Sequence, residues 1–203
     1  TISPQVTREI AAQLAAKNVA MLDAPVSGGE KGAIEGTLSI MVGGDAAVLE
    51  RARPVLNALG KSITHIGTTG MGQTCKLANQ IAIVLNNLAM SEALVFAARA
   101  GADVSKVLAA IQGGAAGSWA LNNYAPKILR RDFSPGFMVK LQQKDLKLVL
   151  QAARDLNLPL PGTALGYELN KSIQARGLDG EGNYAIIKAI EALAGVEVHA
   201  YEE

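Results

Sequence analysis

Lys76, Asn79 and Gln80 stand at i, i+3 and i+4 in the stretch GTTGMGQTCKLANQ, residues 67–80. On a helix that begins near Met71 this spacing turns all three side chains to one face. An ammonium that can give or take a proton then sits beside two amides that can hold polar groups in place. In an arbitrary helix the same triplet reads as a solvated lysine with surface amides. Two features argue against that reading here: the rest of the helix is almost devoid of charge, and Gly67, Gly70 and Gly72 precede the triplet. Such a glycine-rich stretch is expected to be a hinge between two architectures, a place where clefts form.

A second group lies in DAPVSGGEKGA, residues 23–33. Ser27 offers a hydroxyl, and Gly28 and Gly29 offer unobstructed backbone N–H groups, together a suitable receptor for a carboxylate. A tight turn needing glycine for positive φ explains the same residues equally well. A third group, Phe137, Lys144 and Asp145, lies in DFSPGFMVKLQQKDL, residues 132–146. Taken alone, Phe137 reads as core and the other two as surface charges. As neighbours on a helix, Lys144 and Asp145 are expected to point in different directions.

Several tempting sites are set aside. GEGNYA, residues 180–185, spells G-x-G-x-x-A, but that fingerprint has meaning only after a strand at the start of a βαβ unit. Here a helix precedes it, so it reads as a loop and helix start. GTTGMG lacks the fingerprint's spacing and the Gly-Lys-Ser/Thr ending of a P-loop. His65 and His199 have no ligand-type neighbour at i+2 to i+4, so no metal is expected. Cys75 points off the face of Lys76 and reads as a small buried residue.

The elements that must position these groups fall into two halves. Up to Gly70 the pattern alternates: a helix from about Pro4 to Lys17 with Ser3 as N-cap, the apolar run VAMLDA, a glycine-rich loop, TLSIMVGG, a helix from Asp45 to Leu59, and SITHIG. That is α/β grammar. After Gly70 only helical patterns remain, over about 71–100, 103–112, 118–130, 139–156, 162–176 and 183–194. The expected division is therefore 1–70, α/β, and 71–203, all-α. With 203 residues, 49% hydrophobic and 18% charged, the chain can build these cores. A net charge of +1 without a basic block argues against nucleic acid as partner. No uncharged apolar run reaches the ~18 residues of a membrane span. A single cysteine fits a reducing compartment, with the cytoplasm expected.

DAPVSGG, GTLSIMVGG, GTTGMGQTCKLANQ, MSEAL and FSPGFMVKLQQKDL, in this order and spacing, resemble the β-hydroxyacid dehydrogenases, the family of 3-hydroxyisobutyrate dehydrogenase, tartronate semialdehyde reductase and the glyoxylate/succinic semialdehyde reductases. The resemblance covers essentially the whole chain. It implies an α/β remnant of a Rossmann-type dinucleotide-binding domain, residues 1–70, joined by a long interdomain helix to an all-α domain like the C-terminal part of 6-phosphogluconate dehydrogenase, residues 71–203. It makes Lys76 the catalytic lysine and Ser27, Gly28 and Gly29 the anchor for the substrate carboxylate. Asn79, Gln80, Phe137 and Asp145 become substrate contacts, with Gln80 where many members carry a second asparagine. Lys144 and Thr1 fall on the cofactor side. Asn183 and Ala185 stand where members commonly carry Asp and Ser.

The implied activity is NAD- or NADP-dependent interconversion of a small hydroxy acid and its semialdehyde or oxo acid, in a dimer or tetramer assembled through the α domain. The glycine fingerprint of the family lies outside this sequence, so the chain is expected to be part of a longer enzyme and inactive by itself. The alternative is a non-catalytic module for substrate binding and oligomerisation. A 6-phosphogluconate-type decarboxylating activity fits less well, because only Lys31 is basic near the SGG loop.

Overall fold

The computed structural model describes residues 1–200. They form two compact units, Thr1–Gln80 with Lys147–Pro159, and Ile81–Leu146 with the described residues from Leu160 on. The last strand ends at Gly67, and the units divide within a helix that begins at Met71.

The first unit opens with α1 (Pro4–Ala15), started as expected by Ser3, whose hydroxyl accepts from the Gln5 N–H, with Pro4 in the first turn. The apolar run VAMLDA does not form the strand its composition suggests. Only Asp23 pairs, in an isolated antiparallel bridge to Gly43. Pro25 has no N–H to continue a ladder, and pairing resumes only as β1 (Val26–Ser27), antiparallel to β2 (Leu38–Gly43). The expected glycine loop instead holds a short helix, α2 (Gly29–Ile34). Two glycines in six residues hide it from any propensity argument. After β2, α3 (Ala46–Leu59) is capped by Asp45, which accepts from the Val48 N–H, and leads to β3 (Gly60–Gly67), parallel to β2. This β2–α3–β3 crossover is the Rossmann-type part of the fold. Leu38, Ile40 and Val42 alternate along β2 and, with Leu49, form the buried cluster of this unit.

The long helix α4 (Met71–Arg99) gives its start, Met71–Gln80, to the first unit and the rest to the second. By length and composition alone it could cross a bilayer, with a mean hydropathy of 1.7 over its most apolar window; 44% of that window is buried inside the protein.

The second unit is helical among its described residues: α5 (Val104–Ile111), α6 (Trp119–Asn123), α7 (Ala125–Leu129), the start of α8 (Val139–Asp155), which from Lys147 on belongs to the first unit, α9 (Pro161–Ala175), a 3-10 turn over Asn183–Ile186 and α10 (Ile187–Ala194). One helix was expected over 118–130; α6 and α7 part at Tyr124, because Pro126 lacks an N–H and crowds the carbonyl four residues back. The core draws Met90, Leu94 and Val95 of α4 together with Leu108, Ile128 and Ile173. At its centre Tyr184, 1% exposed, stacks on Tyr124 at 4.3 Å between ring centroids. Its hydroxyl lies 3.0 and 2.9 Å from the carbonyl oxygens of Asp132 and Ser134. Burial, with the Asp132 charge adding to it, pushes this hydroxyl's pKa up to about 12.

Candidate active site around Lys76

A helix offers its first N–H groups unpaired, and they need partners when buried. At the start of α4, Gly70 has φ +89° and no side chain to cap with. The partner comes from far away in sequence. Asp23, 3% exposed, accepts from the Gly70 N–H at 2.7 Å through Oδ1 and from the Gln73 N–H at 2.8 Å through Oδ2. Gln73 in turn uses its side chain to accept from the Ile2 N–H at 3.2 Å, and the Thr74 hydroxyl donates to the Gly70 carbonyl at 3.0 Å. Close approach demands glycine at 72: a Cβ there would lie 2.5 Å from the Met41 carbonyl oxygen and 2.6 Å from that of Asp23.

On the helix so anchored, Lys76 is half-buried and Gln80 fully buried. The expected common face is formed, and the Asn79 amide donates to Gln80 Oε1 at 3.1 Å. Ser27 closes β1 opposite Ser39; it is a strand residue rather than a loop residue, because the ladder extends one position past Val26. Gly28 and Gly29 follow, exposed, with φ +136° and +62°. Positive φ is therefore a real requirement at both, and a Cβ on Gly28 would also meet Leu38 Cδ2 at 3.0 Å. Thr1 directly precedes Ile2, the residue tied to Gln73.

Phe137, Lys144 and Asp145 lie in the second unit. Phe137 is half-buried, and its carbonyl accepts from the Asn183 N–H at 2.8 Å. Lys144 and Asp145 do not diverge as expected: the ammonium stands 2.7 Å from Asp145 Oδ1. The four-carbon stem of lysine is long enough to fold back around the helix surface. Nor is Asp145 a surface charge, since it is 2% exposed. Cys75 is half-buried rather than buried. The group that sequence reasoning missed is Asp23. Helix caps are sought at the residues just before a helix, and this one stands 47 residues before its first partner.

The two glycine stretches are engaged internally. In the first, Gly70 and Gln73 donate to Asp23 and Met71 to the Thr68 carbonyl. In the second, Glu181, Gly182 and Asn183 donate to the carbonyls of Leu178, Phe133 and Phe137. These N–H groups are taken up inside the chain rather than offered to a dinucleotide's phosphates. Among the described residues no three His, Cys, Asp or Glu lie close enough to hold a metal ion.

A family described as NAD-binding of NADP-dependent 3-hydroxyisobutyrate dehydrogenase matches residues 70–190, more than half of the chain. The chain belongs to the β-hydroxyacid dehydrogenase family. The NAD binding domain of 6-phosphogluconate dehydrogenase matches residues 1–67 of this family member. The 2-hydroxy-3-oxopropionate reductase of Escherichia coli K12 is 50% identical over 194 residues, 96% of this chain and 66% of the relative. A probable 3-hydroxyisobutyrate dehydrogenase-like protein, mitochondrial, from Arabidopsis thaliana is 44% identical over 98% of this chain and 60% of its own length. The chain thus spans less than two thirds of these curated relatives. Among solved structures, Mycobacterium tuberculosis 3-hydroxyisobutyrate dehydrogenase with L-serine superposes with a TM-score of 0.88 at 34% identity, covering 94% of this chain and 67% of that one.

Proposed function

We propose that this chain is the part of an NAD- or NADP-dependent β-hydroxyacid dehydrogenase that handles the substrate's proton and carboxylate. The substrate is a small hydroxy acid and its semialdehyde or oxo acid. The observation that carries the proposal is the Lys76, Asn79 and Gln80 face at the start of a helix fixed by a buried carboxylate.

NAD or NADP supplies the hydride when bound. The chain's own task is at the carbonyl oxygen, where the electron pair of the C=O bond collects as the new C–H bond forms. The Lys76 ammonium stabilises that charge and gives its proton to the oxygen; in the oxidative direction the neutral amine takes the hydroxyl proton. Asn79 and Gln80 orient the reacting group. Ser27 and the N–H groups of Gly28 and Gly29 hold the substrate carboxylate, the geometry of a strand end followed by two residues of positive φ supporting that role. The resemblance further assigns substrate contacts to Phe137 and Asp145 and cofactor contacts to Lys144 and Thr1, and these belong to the same proposal. So do the division into a dinucleotide-domain part, 1–70, and an α domain, 71–203, a cytoplasmic location, and assembly as a dimer or tetramer. Assembly is supported by Phe96 and Trp119, 76% and 65% exposed on the helical unit.

Replacing Lys76 by Ala in the full-length enzyme should abolish nearly all turnover of glyoxylate, tartronate semialdehyde, succinic semialdehyde and 3-hydroxyisobutyrate under either cofactor, without unfolding the protein. Retained turnover would refute the role of Lys76. A second reading, a non-catalytic binding and assembly module, is favoured by the engaged glycine stretches. An intact gene product of 21.1 kDa without activity would establish it, and a larger, active one would exclude it.

A further inference from the structure

Asp23 is the buried acid of the first unit among the described residues, and the proposed chemistry does not use it. We propose that Asp23 is a positioning residue for Lys76: its carboxylate sets the direction and register of the first turn of α4, and thereby where the ammonium stands. The inference rests on the reading of Lys76 as the proton-transferring group.

Most helices are started by the side chain of their own N-cap residue. Here that residue is Gly70, and one remote carboxylate takes both the N-cap N–H and that of Gln73, three residues on, at 2.7 and 2.8 Å. These lengths are those of charge-assisted bonds. The carboxylate itself cannot drift, because the Asp23 backbone exchanges two hydrogen bonds with Gly43 at the end of β2, at 3.0 and 2.8 Å. Nor is there slack around it. A Cβ on Gly43 would come within 2.5 Å of Oδ1, and one on Gly72 within 2.8 Å of Oδ2. The path from the sheet through the carboxylate to the helix is therefore stiff. Lys76 is three residues beyond Gln73, on the same face and about 4.5 Å along the axis, so a tilt of the first turn carries its ammonium with it. The negative charge also offsets the positive end of the helix, in whose first turns the Lys76 ammonium stands.

An asparagine at this position offers a single acceptor and turns its NH₂ toward one of the two N–H groups. The test is steady-state kinetics of Asp23→Asn in the full-length enzyme with its cofactor, scored per folded molecule and compared with Lys76→Ala. Misplacement of a catalytic group by about 1 Å costs up to about 100-fold. We expect kcat of Asp23→Asn to fall about 10-fold or more, with KM for the hydroxy acid changed by less than about 2-fold, the split that marks a lost transition-state interaction. If this variant does not fold, Asp23→Ser, which also keeps one acceptor, replaces it. An unchanged kcat with a lowered melting temperature would make Asp23 purely structural and overturn the inference. A rise in KM equal to the fall in kcat/KM would overturn it as well, by placing the effect on ground-state binding. Should Lys76→Ala itself stay active, the reading of Lys76 fails and this inference with it. A dead Lys76→Ala beside an unimpaired Asp23→Asn sinks only the positioning role.

Discussion

The two ends of α4 are held by different physics. Its start, in the first unit, is fixed by directed polar bonds: two N–H groups on Asp23, the Thr74 hydroxyl on the Gly70 carbonyl, and a fully buried amide at Gln80. Its remainder, in the second unit, is held by Val84, Leu88, Met90, Leu94 and Val95, all buried. The buried polar pair there, Ser91 and Asn87, bonds within the helix itself at 2.7 Å. Apolar burial is roughly proportional to area and indifferent to angle, so it keeps a helix in place without dictating its rotation to a fraction of an ångström. Hydrogen bonds have narrow distance and angle ranges. The residue proposed to transfer a proton sits on the half where direction is enforced.

The comparison breaks if the apolar half matters equally to catalysis. Leu94, 0% exposed, is the strongest probe. Leu94→Ala should cost about 2–5 kcal/mol of stability through lost transfer energy and a cavity, read as a lower denaturant midpoint, while kcat per folded molecule stays near wild type. A kcat loss as large as that of Asp23→Asn would mean that both halves position Lys76.

The same contrast governs what the sequence could disclose. Apolar periodicity marked α8 and α9, and the alternation of Leu38, Ile40 and Val42 marked β2, because each pattern is a local consequence of one buried face; α4 showed instead as a long helical run that is apolar on more than one side. The Lys76, Asn79 and Gln80 face was legible for the same reason, since i, i+3, i+4 is helix arithmetic. Asp23 was not, because its partners lie 47 and 50 residues on and nothing local shows that a carboxylate will cap a helix it does not precede. α2 was hidden by its glycines, and VAMLDA read as a strand because an apolar run cannot reveal that only its Asp23 finds a pairing partner. The Lys144–Asp145 contact was misjudged because backbone direction says little about a side chain with four rotatable carbons.

Tyr184 is the exception that sharpens the comparison, a directed polar tip inside the apolar unit. Tyr184→Phe should cost about 0.5–1.5 kcal/mol, the net worth of one hydrogen bond, and leave kcat unchanged. The hydroxyl also makes stability fall at alkaline pH. In the unfolded chain it ionises near its ordinary value of about 10, whereas in the folded protein it keeps its proton to about 12. As pH rises between these values the unfolded state sheds a proton that the folded state retains, so stability declines. The variant should lose that part of the decline in unfolding followed from pH 9 to 12.

The smallest effect separates the two ties that meet at the start of α4. Gln73 donates its backbone N–H to Asp23 and accepts from Ile2 with its side chain. Gln73→Ala removes only the second tie, at a cost of about 1 kcal/mol or less. Amide exchange at Ile2 should then quicken, while Gly70 and Gln73 keep their protection, because the carboxylate that holds them is untouched. If Gly70 lost protection together with Ile2, the helix start would depend on the N-terminal segment as much as on Asp23. The distinction between a directed anchor and a merely adjacent contact would then have to move from the carboxylate to the amide.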